Sequence, residues 1–205
     1  MLTQTINARA PQSLALAAHL LRRGDVIALP TDTIYGLAAA AFNRQAVARI
    51  YRLKRRPAEK AIPVFVGSLD ELGRVCGDVP PAARRLLEQY WPGGLTAILP
   101  AHPSLPGVVT HHGPTVAVRI PDHPVVRQLL ALLNAPLAVT SANLSGHPTP
   151  PAAAGVKTAF NGRVPLVLDD GPSPGSLPST IVDFTRTPPQ ILRRGAITVT
   201  LSRPE

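Results

Sequence analysis

Cysteine occurs once in the 205-residue chain, at Cys76, so no internal disulfide and no multi-cysteine zinc site can be built. A single cysteine of this kind reads as a small core residue. Aromatic residues make up only 4% of the sequence, too few for a surface that grips nucleic acid by stacking on bases. No apolar run reaches the roughly 20 residues that cross a bilayer. The N-terminal segment lacks a leading basic region and is interrupted by His19, which argues against a secretory signal and for a cytoplasmic protein with no membrane partner. Also missing are a G-x-x-x-x-G-K-[ST] loop and a G-x-G-x-x-G between strand and helix, and with them the main support for P-loop and Rossmann nucleotide sites.

Acidic residues are scarce as well, 12 against 21 Lys and Arg, for a formal net charge of +9. Such an excess suits an anionic partner, either nucleic acid or the phosphates of a nucleotide. A composition that is 45% hydrophobic supports a sizeable core, and the length fits one domain over 1–205, with a core from about 12 to 200. The 24 prolines predict many fixed loops, the densest being "GHPTPPAAAG".

Periodicity predicts alternating elements. "SLALAAHLLRRG" reads as a helix capped by Ser13, "VIALP" as a buried strand, and "NRQAVARIYRLK" as an amphipathic helix capped by Asn43. "AIPVFV" is a strand, and Ser68 and Glu71 in "SLDEL" have capping-box spacing. Pro81 opens a helix that "WPGG" closes before the strand "LTAILP". The strands "TVAVRI", "PLAVT", "PLVLD", "STIVDF" and "QILRR" and the helix "HPVVRQLLALL" follow. The interleaving predicts an α/β fold with a mixed or largely parallel sheet. The adjacent His111 and His112 read as loop residues, because in an extended segment they would point to opposite faces and share no metal.

Three polar constellations sit where elements end, and strand ends are where α/β proteins place ligands. Thr31, Asp32, Thr33 and Tyr35 follow the strand "VIAL"; taken alone they read as a capping turn. Lys54, Arg55, Arg56 and Lys60 gather positive charge at a helix C-terminus, with Pro57 fixing the exit. Thr140, Ser141, Asn143 and Ser145 follow another strand. With Arg119 and Arg193 at further strand ends, they would form a pocket for a small ligand carrying phosphate and carboxylate.

In order, "PTDTIYGL", "KRRP" with Lys60 following, "WPGGLT", "VAVRIP", "TSANLSG", "STIVD" and "ILRRGAI" closely resemble the YrdC/TsaC family of L-threonylcarbamoyladenylate synthases. The resemblance is collinear from about Gly24 to Ile197. It implies a single YrdC-type α/β domain, a large twisted mixed sheet with flanking helices and a basic concave surface, in its short form. It also implies conversion of L-threonine, bicarbonate and ATP to threonylcarbamoyl-AMP and pyrophosphate, the first step of N6-threonylcarbamoyladenosine formation at tRNA position 37. A downstream threonylcarbamoyl transferase complex would receive the product.

By the same resemblance the K-x-R and S-x-N pairs, Lys54 with Arg56 and Ser141 with Asn143, surround the nucleotide phosphates and the reacting centre, with Thr140 and Lys60 nearby. Thr31, Arg119 and Ser179 match the threonine site, and Arg193 the late arginine beside the nucleotide. Two departures stand out. Arg194 occupies a position that is usually proline, leaving open which arginine faces the nucleotide, and Phe65 stands where some relatives carry a histidine. Mg2+ is expected with ATP, held mainly by phosphate oxygens and water, with no metal ligands assigned to the protein. The competing reading is a double-stranded RNA or tRNA-binding module without catalysis.

Overall fold

Apolar residues in β2 (Ile27–Leu29) and β3 (Gly36–Ala40) leave no polar position between them, as expected of strands covered on both faces. The computed structural model describes residues 2–175 and 177–201, and its two core clusters account for that pattern. Val26, Ala28, Leu37 and Ala39 belong to one cluster, with residues of α2 (Arg44–Lys54), α3 (Pro81–Tyr90), α4 (Gly107–Thr110) and α6 (Ala153–Phe160). Ile27, Leu29 and Ala38 belong to the other, with α1 (Ser13–Arg22) and α5 (Pro124–Leu133). Helices therefore lie on both faces of the sheet.

The remaining strands are β1 (Gln4–Asn7), β4 (Val64–Phe65), β5 (Leu95–Pro100), β6 (Thr115–Arg119), β7 (Leu137–Ser141), β8 (Leu166–Asp169), β9 (Thr180–Asp183) and β10 (Gln190–Arg193). All ten join one sheet in the order β1-β8-β2-β3-β7-β4-β6-β5-β9-β10. It is mixed: β2 and β7 flank β3 antiparallel, whereas β4 pairs β6 and β5 pairs β9 in parallel. The expected α/β mixed sheet is thus observed.

Local chemistry explains most boundaries. Asn43 accepts from Ala46 N at 3.0 Å as the cap of α2, and Pro81 occupies the first turn of α3, where its missing N–H has no partner to lose. Two expected caps are corrected. Ser13 lies inside α1, after Gln12 in the left-handed region (φ 71), and its hydroxyl donates to Ala8 O at 2.7 Å. Ser68 makes no capping bond; Leu69–Arg74 forms a 3₁₀ helix and Glu71 Oε2 accepts from Gly67 N instead. β1, β3, α4 and α6 carry no strong sequence signal: the strands are short or alanine-rich, and α6 emerges directly from the proline cluster.

One surface of the sheet stays open. Along β5, Leu95, Ala97 and Leu99 point into the core beneath α3, so Thr96 and Ile98 face the opposite side. Ala117 of β6 and Ile181 of β9 join them there, beyond the reach of α1 and α5.

Candidate active site

The turn after β2 is built by its own hydroxyls. Thr31 Oγ1 accepts from Thr33 N at 3.1 Å and Ile34 N at 3.2 Å and donates to Ile34 O at 2.7 Å, while Thr33 Oγ1 lies 3.0 Å away. Both threonines are buried yet line a cavity of about 300 Å³ on the open sheet face. The turn expected from Thr and Asp is therefore present, and it forms a wall of that cavity. Antiparallel pairing of β3 with β7 sets Gly36 opposite Ser141, and Ala142 N donates to Tyr35 O at 2.7 Å. That register brings two polar strand ends, distant in sequence, to one rim. Tyr35 also lines the cavity, but its hydroxyl is engaged elsewhere, donating to Gly171 O at 2.6 Å.

Arg119, at the end of β6, is 3% exposed. Its Nε donates to Gly93 O at 2.8 Å, Nη1 to Thr33 Oγ1 at 3.1 Å and Nη2 to Asp32 Oδ2 at 2.6 Å. A guanidinium carries five N–H donors, so one on each terminal nitrogen keeps no partner among the described residues. Burial pulls its pKa down and the Asp32 carboxylate opposes the shift. Parallel pairing of β4 with β6 sets Phe65 beside it, the guanidinium carbon 5.5 Å from the ring centre. Phe65 thus offers an aromatic face to the cation.

Ser179 precedes β9, and its Oγ lies 2.7 Å from Thr96 Oγ1, both side chains being buried. Arg193 donates through Nε and Nη2 to Ser179 O at 3.0 and 2.7 Å, and through Nη2 to Ser179 Oγ at 3.2 Å. Its pKa is lowered by burial and then by the Arg119 charge, so two cations converge on the cavity. Arg193 rather than Arg194 lines the wall.

The basic constellation divides. The helical turn ends at Arg55 in the left-handed region (φ 51), which sends successive side chains apart. Lys54 is buried and its ammonium meets the oxygens of the 141–143 segment: Ser141 O, Asn143 O at 2.7 Å and Asn143 Oδ1 at 3.1 Å. Burial and then the Arg56 charge lower its pKa to about 7. Arg56 donates to Lys60 O at 2.9 Å and Ala61 O at 2.7 Å and lines the cavity, and burial lowers its pKa too. Arg55 and Lys60 are exposed on the surface. The expectation that the basic run is held together is therefore corrected, because the left-handed residue disperses it. Arg56 alone reaches the cavity, along with Thr140 and Ser141, while Lys54, Lys60 and Asn143 do not line it.

The structure thus brings Thr31, Arg56, Arg119, Thr140, Ser141, Ser179 and Arg193 together around one cavity. Thr33 and Thr96 join them; Thr96 carried a readable signal, a hydroxyl at the alternate position of an otherwise apolar strand. A wider cleft of about 500 Å³ lies elsewhere, between the 3₁₀ helix and α5, lined by Glu71, Asp122 and Arg127 among others, and includes none of these residues. Among the described residues no three His, Cys, Asp or Glu side chains converge as a metal site, and no helix is long and apolar enough to cross a membrane.

The chain is similar to known proteins in sequence and in fold. The chain is 40% identical over 197 residues to threonylcarbamoyl-AMP synthase of Bacillus subtilis, covering 96% of this chain and 57% of that protein. It is 36% identical over 200 residues to a putative threonylcarbamoyl-AMP synthase of Mycobacterium tuberculosis, covering 96% of this chain and 92% of the other. The crystal structure of Pyrococcus abyssi Sua5 complexed with L-threonine superposes with a TM-score of 0.90 at 36% identity, over 95% of this chain and 58% of that one. The chain spans a little over half the length of the Bacillus and Pyrococcus proteins. The sequence model of one family, described as telomere recombination, matches residues 19–195; a match over that much of the chain makes it a member of the Sua5/YciO/YrdC family.

Proposed function

We propose that the protein is an L-threonylcarbamoyladenylate synthase, converting L-threonine, bicarbonate and ATP to threonylcarbamoyl-AMP and pyrophosphate. One observation carries the reading: three guanidinium groups, of Arg56, Arg119 and Arg193, line a single cavity with the hydroxyls of Thr31, Thr140, Ser141 and Ser179. Such a wall suits a ligand bearing a carboxylate at one end and phosphates at the other. The likeness to a Sua5 complexed with L-threonine supports the same substrate here.

In this reading the two unpartnered N–H groups of Arg119 receive the threonine carboxylate, and Thr31 and Ser179 flank the amino acid. The uncharged amine forms an N–C bond to carbon dioxide and releases a proton to water, or adds to bicarbonate with a C–O bond breaking and water leaving; either route gives a carbamate. A carbamate oxygen then bonds to the α-phosphorus as the bridging P–O bond to the β-phosphate breaks, and pyrophosphate leaves with that electron pair. Arg56, Arg193, Thr140 and Ser141 lie where the phosphates would be neutralised and held in line, and no protein nucleophile is needed. Asp32, the acid beside the cavity, gives Oδ2 to Arg119, and its buried Oδ1, without a partner among the described residues, offers a single oxygen and not a cation site. Magnesium arriving with ATP would therefore be held by phosphate oxygens and water, and it would supply further charge neutralisation.

The product would pass, in the cytoplasm, to a transferase that modifies tRNA position 37. The net charge of +9 suits passing contact with tRNA. Pyrophosphate release by the purified protein tests the assignment, with L-threonine and bicarbonate supplied together and each omitted in turn. Release that requires both is expected; intact ATP in every mixture would overturn the reading.

A further inference from the structure

Lysine has three N–H donors on its ammonium and no acceptor. At Lys54 all three have protein acceptors: Ser141 O, Asn143 O and Asn143 Oδ1. The backbone repeats the tie, since Ser145 N donates to Lys54 O at 2.9 Å. Asn143 is equally occupied. Its amide nitrogen donates to Leu144 O at 2.9 Å and His147 O at 2.6 Å, and its Oδ1 also accepts from Thr149 Oγ1 at 3.3 Å. Neither side chain retains a donor for a phosphate oxygen. Arg56 differs, for its two bonds to Lys60 O and Ala61 O leave Nη1 without a partner among the described residues. The Ser141 hydroxyl likewise makes no hydrogen bond within the described protein, and it lines the cavity.

We propose that Lys54 and Asn143 are positioning residues, an internal clamp that fixes the 141–145 loop and presents the Ser141 hydroxyl, so that of these four residues only Arg56 and Ser141 touch the nucleotide. The proposal rests on the nucleotide reading above. It divides the chemistry of the two pairs: one member of each contacts the ligand and the other shapes the loop. A buried lysine holding backbone carbonyls at the end of α2 makes the loop conformation part of the helix rather than a property of its own short sequence.

Two experiments separate this clamp from a phosphate-binding lysine. In amine acylation of the native chain followed by mass spectrometry, Lys54 stays unmodified while the exposed Lys60 and Lys157 react, and Asn143→Ala makes Lys54 reactive. Lys54 reacting as fast as Lys60 in the ligand-free chain, with ATP suppressing it, would overturn the clamp. In a double-mutant cycle read by ATP affinity, Lys54→Met costs about tenfold beside native Ser141 and less than about threefold in a Ser141→Ala background, because the lysine acts through that residue. Threonine affinity stays within about twofold, which a general loss of folding would not allow. Equal losses in both backgrounds would assign Lys54 its own ligand contact. If the native chain binds no ATP, the nucleotide reading fails, and the acylation pattern still decides whether the clamp exists.

Discussion

Arg119 at the end of β6 and Asp32 in the turn after β2 form an ion pair with Nη2 2.6 Å from Oδ2, both side chains largely withdrawn from solvent. The pair joins strands that are not neighbours in the sheet and fixes the guanidinium plane, so the direction of its remaining donors is set before any ligand arrives. Lysine cannot reproduce a planar fork. Arg119→Lys should therefore weaken L-threonine binding by about 1.5–3 kcal/mol, roughly tenfold to a hundredfold. Asp32→Asn, which keeps an oxygen for Arg119 but removes the charge, should weaken it less. Titration calorimetry with L-threonine reads both, and unchanged affinity in Arg119→Lys would remove this residue from the amino-acid site.

Arg193 reaches the cavity because β10 is irregular. Ile191 pairs with Val182 on the core side, but the register then shifts, so that Arg193 pairs with Ile181, a cavity residue. In an unbroken strand Arg193 would share the face of Ile191; the extra residue, Leu192, is left exposed and reverses that parity. Arg193→Ala should accordingly raise the KM for ATP at least about fivefold, the loss of one charge-assisted contact. Arg194→Ala should leave it within about twofold, because Arg194 does not line the cavity and its side chain has no polar partner among the described residues. Steady-state pyrophosphate release with each variant makes the comparison, and equal effects would contradict the bulge argument.

That bulge also marks a limit of reading the chain as a string. Strand existence was legible in most cases, because two-sided burial leaves apolar runs such as "VIAL" and "PLVLD". The hydroxyl-rich strand ends that proved to line the cavity were legible as well. Lys54 and Arg56 look alike in "LKRRP", yet a single left-handed residue, Arg55, sends one inward to carbonyl oxygens and the other to the cavity. Register and helix termination decide such matters, and neither is written in the motif itself: β10 takes its register from β9, and Lys54 finds its acceptor at Ser141, 87 positions away. The short β1 and the alanine-rich β3 were missed for a related reason: their stability comes from neighbouring strands rather than from their own propensity.

Gly195 is required by a close approach. A Cβ there would fall on the Pro178 carbonyl oxygen and lie 2.5 and 2.6 Å from the Ser179 carbonyl carbon and oxygen. Its own N–H donates to Thr180 Oγ1 at 3.0 Å. Gly195→Ala must displace the segment that carries Ser179 into the cavity, costing about 1–3 kcal/mol by overpacking. At about 2–4 °C per kcal/mol for a chain of this size, the melting temperature should fall by roughly 2–12 °C, with weaker threonine binding. Gly73→Ala, where a Cβ would meet nothing within 4 Å, is the control and should change stability by less than about 0.5 kcal/mol.

Lys54 makes stability depend on pH in a direction that its burial fixes. Its pKa falls from 10.5 to about 7 on folding. Below about pH 7 the folded and unfolded chains both carry the proton, and the residue adds no slope. Between there and the unfolded value the unfolded chain retains a proton that the folded chain has released, so stability rises with pH, by at most about 1.4 kcal/mol per unit for one proton. The three oxygens around Nζ favour the cation and reduce the slope without reversing its sign. Native protein and Lys54→Met should therefore diverge in denaturant titrations from pH 6 to 10, the native chain gaining relative stability as the pH rises. Parallel profiles would mean that Lys54 keeps its proton throughout, and a relative loss with rising pH would mean that the clamp needs its charge more than burial opposes it.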